Sequence, residues 1–330
     1  RYGEWLQTET RLRRQLASLI QADSSDEIAI VKNTSEGLSV IAQGLNWTAG
    51  DNIVIAAEEF PSNRIAWQAL APLGVETRLV DISHAATAEQ RLIEAMDAST
   101  KLLSCSSVQY ASGLRLDLQQ LGQACKKNNS LFCVDAIQSL GAIQFDVNAV
   151  QADFVVADGH KWLCAPEGTA LFYCRRNVMP LLQLHQFGWH MVDRPYDFNQ
   201  PDWQPATTAQ RFECGSPNMM GITALSQSLA VLSETGMAII EKQVLNNSEY
   251  LFEVLSAMDN IEILTSQLSG KYAGIVSFRR NDVDNESLYD FLQENNVICA
   301  YRGAGIRFSP HYYTKTSDID QALELVRGYR

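Results

Sequence analysis

The chain has 330 residues, a formal net charge of -12 and a sequence pI of about 4.9. A hydrophobic content of 46% with 19% charged residues describes a folded protein long enough for two cores, not a disordered chain. The acidic balance argues against nucleic acid or an anionic membrane as partner, since both attract basic patches, and no apolar run is long enough to span a bilayer.

The chain begins at Arg1, without a methionine. Residues 4 to 20 carry the periodicity of an amphipathic helix, expected to pack with the smaller of two domains. Its basic cluster Arg11 to Arg14, "RLRR", reads as a solvated or interdomain face. From about 28 to 175, the short apolar runs "EIAIV", "NIVIAA", "VETRLV", "KLLSCSSV", "LFCVDA", "DFVVAD" and "TALFYC" alternate with helical stretches. That alternation predicts crossover units and a mainly parallel sheet covered on both faces.

The stretch 183 to 210 is a long loop rich in aromatic residues and proline, with Phe187, Trp189, His190 and Trp203; it is expected either to shape specificity or to pack in a dimer. Residues 219 to 258 show long helical periodicity. "IEIL", "AGIVSFRR", the helix "NESLYDFLQENN", "VICAY", "GIRFS" and a helix from Ser317 then form a small α+β unit. The predicted organisation is an N-terminal helix (1–20), a large domain (21–234) and a small C-terminal domain (235–330).

The seven cysteines, Cys105, Cys125, Cys133, Cys164, Cys174, Cys214 and Cys299, are scattered and form no CxxC pair, which favours reduced thiols in a cytoplasmic protein. The five histidines show no metal-ligand spacing.

Four constellations fall at predicted strand ends, where ligands bind in open α/β sheets. Asn33-Thr34-Ser35-Glu36-Gly37 opens a helix, either as an anion site suited to phosphate or as a plain cap by Thr or Ser. Asp135 ends the run "LFCV", where a carboxylate needs a cation or strong donors; a protonated heterocyclic nitrogen would serve, and so would a following helix to cap. Lys161 follows the run "DFVVAD" in "ADGHKWLCAPEG", either as an amine at a dry strand end or as part of a surface turn. Arg307 stands in an apolar context in "GAGIRFSPHYY", suited to a substrate carboxylate or to a buried ion pair. A lysine that forms a Schiff base, with an acid for a pyridinium nitrogen, is the pyridoxal 5'-phosphate arrangement.

The motifs "NTSEGLS", "EEFPSNR", "VDAIQSLG", "ADGHKWLCAPEG", "RFECGSPN" and "IRFSPHYYTKTSDID", in this order from about 33 to 320, resemble the class V aminotransferase family of pyridoxal phosphate enzymes. The resemblance implies fold type I: a mainly parallel, seven-stranded sheet covered by helices, plus a small C-terminal α+β domain. It implies that Lys161 is the Schiff-base lysine and later proton shuttle, and that Asp135 holds the pyridine nitrogen protonated. Gln138 and Gln109 match positions on the cofactor's phenolic oxygen. Thr34, Ser35, His160 and Asp158 match phosphate-side positions, and Phe60 a ring stacked on the cofactor, where desulfurases usually have His. Ser216 matches a residue reaching the partner subunit's cofactor, so a homodimer is implied. Arg307 matches the substrate-carboxylate arginine, with Arg302 as a second contact, and a region before the first helix is implied to contribute to the substrate pocket.

A desulfurase needs a nucleophilic cysteine on a mobile loop just before that arginine. Here only a short Gly-containing turn separates Arg302 from Arg307, and Cys299 falls in the expected strand "VICAY". The expected function is therefore a class V aminotransferase acting on an amino acid. A cysteine desulfurase or C–S lyase, an epimerase, and a non-catalytic homologue are the alternatives. A dinucleotide-binding oxidoreductase is set aside, because no GxGxxG follows the first strand.

Overall fold

The computed structural model describes residues 2–199 and 201–330. Helix α1 (Tyr2–Leu19) leads into strand β1 (Ile28–Val31), helix α2 (Thr34–Gly44), β2 (Asn52–Ala56), α3 (Ser62–Gln68), β3 (Glu76–Val80) and α4 (Ala88–Glu94). There follow β4 (Thr100–Ser106), α5 (Leu118–Asn128), β5 (Leu131–Asp135), the single turn α6 (Val147–Val150), β6 (Phe154–Asp158) and β7 (Ala170–Cys174). After a long irregular stretch come α7 (Met219–Thr235), α8 (Met237–Ser256), β8 (Ile261–Ile263), β9 (Val276–Arg280), α9 (Asn285–Glu294), β10 (Ala300–Arg302), β11 (Gly305–Phe308) and α10 (Thr316–Gly328).

The first seven strands form one sheet in the order β1-β7-β6-β5-β4-β2-β3, parallel among β3, β2, β4, β5 and β6, with β7 antiparallel to both of its neighbours. Successive residues of a strand face opposite sides, and the core divides accordingly. In β6, Val155 and Ala157 join the cluster under α1, α5 and α7, while Phe154 and Val156 join the one that holds Leu38 and Ile41 of α2 and Trp67 of α3. Both faces are thus covered, as the near-continuous apolar runs require. Because the parallel strands point the same way, the loops after β1, β2, β4, β5 and β6 emerge at one edge, and the candidate site lies there.

Strands β8 to β11 make a second, antiparallel sheet in the order β10-β11-β9-β8. Its core joins Val276, Phe278 and Ile306 to Leu251 of α8, Leu288 of α9 and Leu323 of α10. The first half of α8 belongs elsewhere, since Ile240 and Val244 pack into the large core. The long helical stretch from 219 is broken by Gly236, whose φ of 86° suits glycine. The second sheet is tied to the segment after β4 by Thr265 Oγ1 donating to the Ser112 carbonyl (2.6 Å) and Ser277 Oγ to that of Ala111 (2.5 Å).

Three expectations need correction. Helix α1 packs on α7 and β1 of the large unit rather than on the small domain: Leu12, Leu16 and Ile20 are fully buried in the large core, and Arg11 and Gln15 bond to Ser226. Within "RLRR", Arg11 and Arg14 are exposed but Arg13 is largely buried, bonded to Glu9 and Glu213 and to the Ile28 carbonyl (2.9 Å). The strand expected in "VICAY" begins only at Ala300, and Ile298 is 96% exposed. Among the described residues all seven cysteines are free, and no helix is long and apolar enough to cross a membrane.

Candidate active site

A cavity of about 690 Å³ opens where the carboxyl ends of β1, β5 and β6 meet the hairpin β10–β11. Of the residues singled out in the sequence, Thr34, Ser35, Phe60, Asp135, Gln138, Asp158, His160, Lys161, Arg302 and Arg307 all line it. Side chains from most of the chain length therefore converge on one space.

At one end stands the N-terminus of α2. Its cap is Asn33, whose side chain accepts from the Glu36 N–H (2.8 Å), so neither Thr34 nor Ser35 is needed for capping. Thr34 Oγ1 is buried without a partner among the described residues, and Ser35 Oγ bonds to Ser62 Oγ (2.8 Å). Asp158, the last residue of β6, accepts from the Thr34 N–H at 3.1 Å and lies 3.8 Å from His160 Nδ1. Burial raises the Asp158 carboxyl above its ordinary range, and the His160 charge opposes this. A carboxylate offers no donor to an anion, and the hydrogen bond that Asp158 makes at this end is the one from the Thr34 N–H.

In the middle, Asp135 ends β5 with 2% exposure. It accepts from the Ile137 N–H (3.0 Å) and has no ion-pair partner among the described residues; burial pushes its pKa up to about 7. Three residues on, Gln138 Oε1 accepts from Trp162 Nε1 (3.2 Å), which leaves Gln138 Nε2 buried without a partner. Trp162 is itself held, because its carbonyl lies 3.0 Å from His311 Nε2. Gly141 makes this packing possible: its φ is +95°, and a Cβ there would lie 2.2 Å from the Trp162 carbonyl oxygen.

Lys161 does not end β6 but sits in the turn three residues beyond it. Burial, then the nearby Arg307 charge, lower its pKa. Its Nζ lies 5.8 Å from the centre of the Phe60 ring, which meets Tyr110 edge-on at 5.2 Å. Arg307 is half-buried on β11. Its Nη1 donates to the Tyr110 carbonyl (2.6 Å), its Nε has no partner, and burial lowers its pKa. Neither Arg307 nor the exposed Arg302 is in an ion pair among the described residues, which leaves two guanidinium groups facing the cavity.

Two predicted residues lie off this wall. Gln109 is turned under it, donating to Glu59 Oε1 (2.8 Å), and its neighbour Tyr110 lines the cavity in its place. Ser216 is exposed and outside the cavity. Phe187, Trp189 and Trp203 of the 183–210 stretch line a separate cavity of about 440 Å³. From the same stretch, His190 joins Glu9, Arg13 and Glu213 in a buried cluster whose positive charge Arg13 already supplies. The sequence reading missed Tyr110, next to Gln109, and also Glu59 and the Trp162–His311 support, which lie inside motifs already noted.

The orphaned polar atoms test which ligand fits. Thr34 Oγ1, Gln138 Nε2 and Arg307 Nε belong to three residues along one cavity wall, beside a cation-free acid and a lysine of lowered pKa. That set suits an anion, a ring oxygen, a ring nitrogen, an aldehyde and a carboxylate, as pyridoxal phosphate and an amino acid present them.

A seven-stranded sheet with its site at the carboxyl ends and a small α+β unit closing over it defines a fold type I scaffold. The sequence pattern described as "Aminotransferase class-V" matches residues 4–321, and the chain belongs to this family of pyridoxal phosphate enzymes. A probable cysteine desulfurase of Methanothermobacter thermautotrophicus is 30% identical over 337 residues, covering 96% of this chain and 83% of the relative. One from Pyrococcus abyssi is 27% identical, with coverages of 96% and 83%. Among solved structures, the cystine C–S lyase C-DES in complex with its product cysteine persulfide superposes with a TM-score of 0.91 at 23% identity, covering 99% of this chain and 88% of that one. The apo cysteine desulfurase of Thermococcus onnurineus gives a TM-score of 0.88 at 24% identity, covering 98% and 84%.

Proposed function

We propose that this chain is a pyridoxal 5'-phosphate enzyme that cleaves the carbon–sulfur bond of a cysteine-like amino acid. The observation that carries the reading is the convergence of Lys161, Asp135 and Arg307 on one cavity, in a chain whose relatives bear desulfurase names. Those names move the preference from transamination, which the sequence favoured, to the C–S lyase alternative.

When bound, the cofactor supplies an aldehyde for amines and a cationic ring that takes up electrons. Thr34, Ser35 and His160 would receive its phosphate at the N-terminus of α2, where the helix dipole favours an anion. Asp135 would hold the ring nitrogen, Gln138 Nε2 would donate to the ring oxygen, and Phe60 would cover the ring. Arg307 takes the substrate carboxylate, with Arg302 beside it. Lys161 would be the amine that holds the cofactor's aldehyde and the base that takes the Cα proton of the substrate. It does so as a neutral amine, a form that burial and the Arg307 charge both favour. Loss of that proton lets the sulfur substituent leave Cβ. The turn between Arg302 and Arg307 carries no cysteine, and none lines the cavity among the described residues. The reading is therefore elimination with sulfur as leaving group, without a thiol of the protein as acceptor. We also propose a homodimer, with the exposed Ser216, Phe198 and Trp203 on the side of the partner.

The test is the visible spectrum of the protein reconstituted with pyridoxal phosphate, before and after L-cystine or L-cysteine, with Lys161→Ala as control. The expected result is a Lys161-dependent band, with pyruvate and a sulfide or persulfide released in equal amounts. Amino transfer to a keto acid without sulfur release would restore the aminotransferase reading, and no lysine-dependent band would remove the enzyme reading.

A further inference from the structure

Behind the cavity wall lies a carboxylate that does not line the cavity. Glu59 is 3% exposed in the loop after β2. Its Oε1 accepts from the Ser106 N–H (2.7 Å) and from Gln109 Nε2 (2.8 Å), and its Oε2 from Ser106 Oγ (2.5 Å) and Asn63 Nδ2 (2.9 Å). Asn63 cannot turn round to offer its oxygen, because Oδ1 already accepts from Trp67 Nε1 (2.9 Å) and Ser104 Oγ (2.6 Å). Four donors thus face Glu59, and none of them is charged. An amide at this position would set its NH₂ against either the Ser106 N–H or the Asn63 NH₂, whichever way it lay. Four donors suit an ionised carboxylate, and they work against the burial that raises its pKa.

That charge has a definite neighbour. Ser106, which Glu59 holds at two atoms, is the register partner of Asp135 on the adjoining parallel strand, one strand spacing or about 4.8 Å away. Asp135 also lacks an ion-pair partner among the described residues, and the Glu59 charge adds to what burial does to its proton affinity. Two buried carboxylates, Asp135 at the end of β5 and Glu59 held against the adjoining β4 through Ser106, have no ion-pair partner among the described residues and leave a deficit of positive charge that faces the cavity through Asp135 alone.

We propose that Glu59 is a positioning residue for the Asp135 centre: a second fixed negative charge that raises the proton affinity of the cationic ring nitrogen held by Asp135. The inference rests on the cofactor reading above. In the same network Glu59 pins Gln109 beneath the wall, which sets Tyr110 where its carbonyl receives Arg307.

The experiment loads wild type, Glu59→Gln and Glu59→Asp with pyridoxal phosphate labelled with 15N in the ring, and follows the nitrogen shift against pH by NMR beside the melting temperature. The ring nitrogen of the wild type is expected to be protonated at neutral pH and to titrate at alkaline pH. Glu59→Gln should lower its titration midpoint by ~1 unit or more, about a tenfold loss of proton affinity. Glu59→Asp keeps the charge, so it should melt earlier while leaving the midpoint in place. An unchanged midpoint in a folded, loaded Glu59→Gln overturns the proposal. Should Glu59→Gln not fold, 13C NMR of the wild-type holoenzyme labelled at glutamate Cδ, assigned against Glu59→Asp, reads the group directly. Glu59 ionised at neutral pH supports the proposal, and Glu59 protonated there overturns it. If the wild type takes up no cofactor, the functional reading has failed, which this series distinguishes from failure at Glu59.

Discussion

Replacing Asp135 by Asn should stabilise the cofactor-free protein at alkaline pH, although it removes a residue placed at the centre of the site. Burial raises the folded-state pKa of Asp135 from an ordinary 3.8 to about 7. A carboxyl raised in this way binds its proton more tightly folded than unfolded. Its contribution to stability is therefore full below about pH 4, falls as the pH climbs to about 7, and is level above that. Three units correspond to about 4 kcal/mol, an upper bound because water in the open cavity screens part of it. Asn does not titrate, and its oxygen can still accept from the Ile137 N–H. Urea unfolding of cofactor-free wild type and Asp135→Asn, followed by circular dichroism at pH 5 and pH 8, reads the difference. The variant should gain on the wild type by a few kcal/mol between the two. A gap that stays constant with pH would refute the reasoning, because it would mean that Asp135 is solvated rather than held in a dry site for a cation. Added pyridoxal phosphate should stabilise the wild type more than the variant, since only the wild type offers the ring nitrogen a charge.

Arg307→Ala should weaken amino-acid binding roughly 10- to 100-fold, as loss of a charged hydrogen bond does, read by spectral titration of the loaded enzyme. The same change should move the Lys161 titration to higher pH, visible in the pH dependence of its reaction with an aldehyde, because Arg307 is one of the charges that depress it. Arg13→Met strands Glu9, Glu213 and His190 together in the interior and should cost about 3–5 kcal/mol in urea unfolding at pH 7. Glu9 sits below its ordinary pKa of 4.5 in the wild type, so its contribution holds down to that pH and is lost below it, and the gap between the two proteins should narrow only there. Gly141→Ala forces a Cβ to 2.2 Å from the Trp162 carbonyl at a φ of +95° and should lower both the melting temperature and cofactor uptake.

The strands and their order of appearance were legible because buried parallel strands write themselves as apolar runs, and Asp135 and Lys161 were legible because a charge ending or following such a run stands out. Thr34 was legible as part of a helix start, but only the structure assigns the cap to Asn33 and frees the hydroxyl. What the sequence hid was direction and partner. In an extended segment neighbouring side chains face opposite ways, so a motif match one residue off selects Gln109, which turns inward, instead of Tyr110, which faces the cavity. Helical periodicity shows that α1 buries a face but not against what, and its partner α7 lies some two hundred residues away. Glu59 was hidden for the same reason: an acid beside another acid in "EEF" looks like surface until four donors close around it.

The antiparallel strand β7 carries a consequence for how the protein is made. Edge strand β1 pairs in the sheet only with β7, so residues 28–31 wait for residues 170–174 before they have a strand to lie against. Until then Thr34 and Lys161, separated by more than a hundred positions, have no common frame. Pairing across such a separation pays its loop-closure entropy late and is slow. A nascent chain that has already emerged as far as Lys161 therefore holds the amine but not the anion cradle. The amine and the anion cradle are joined only with the last strand of that sheet, and Arg302 and Arg307 reach the cavity later still.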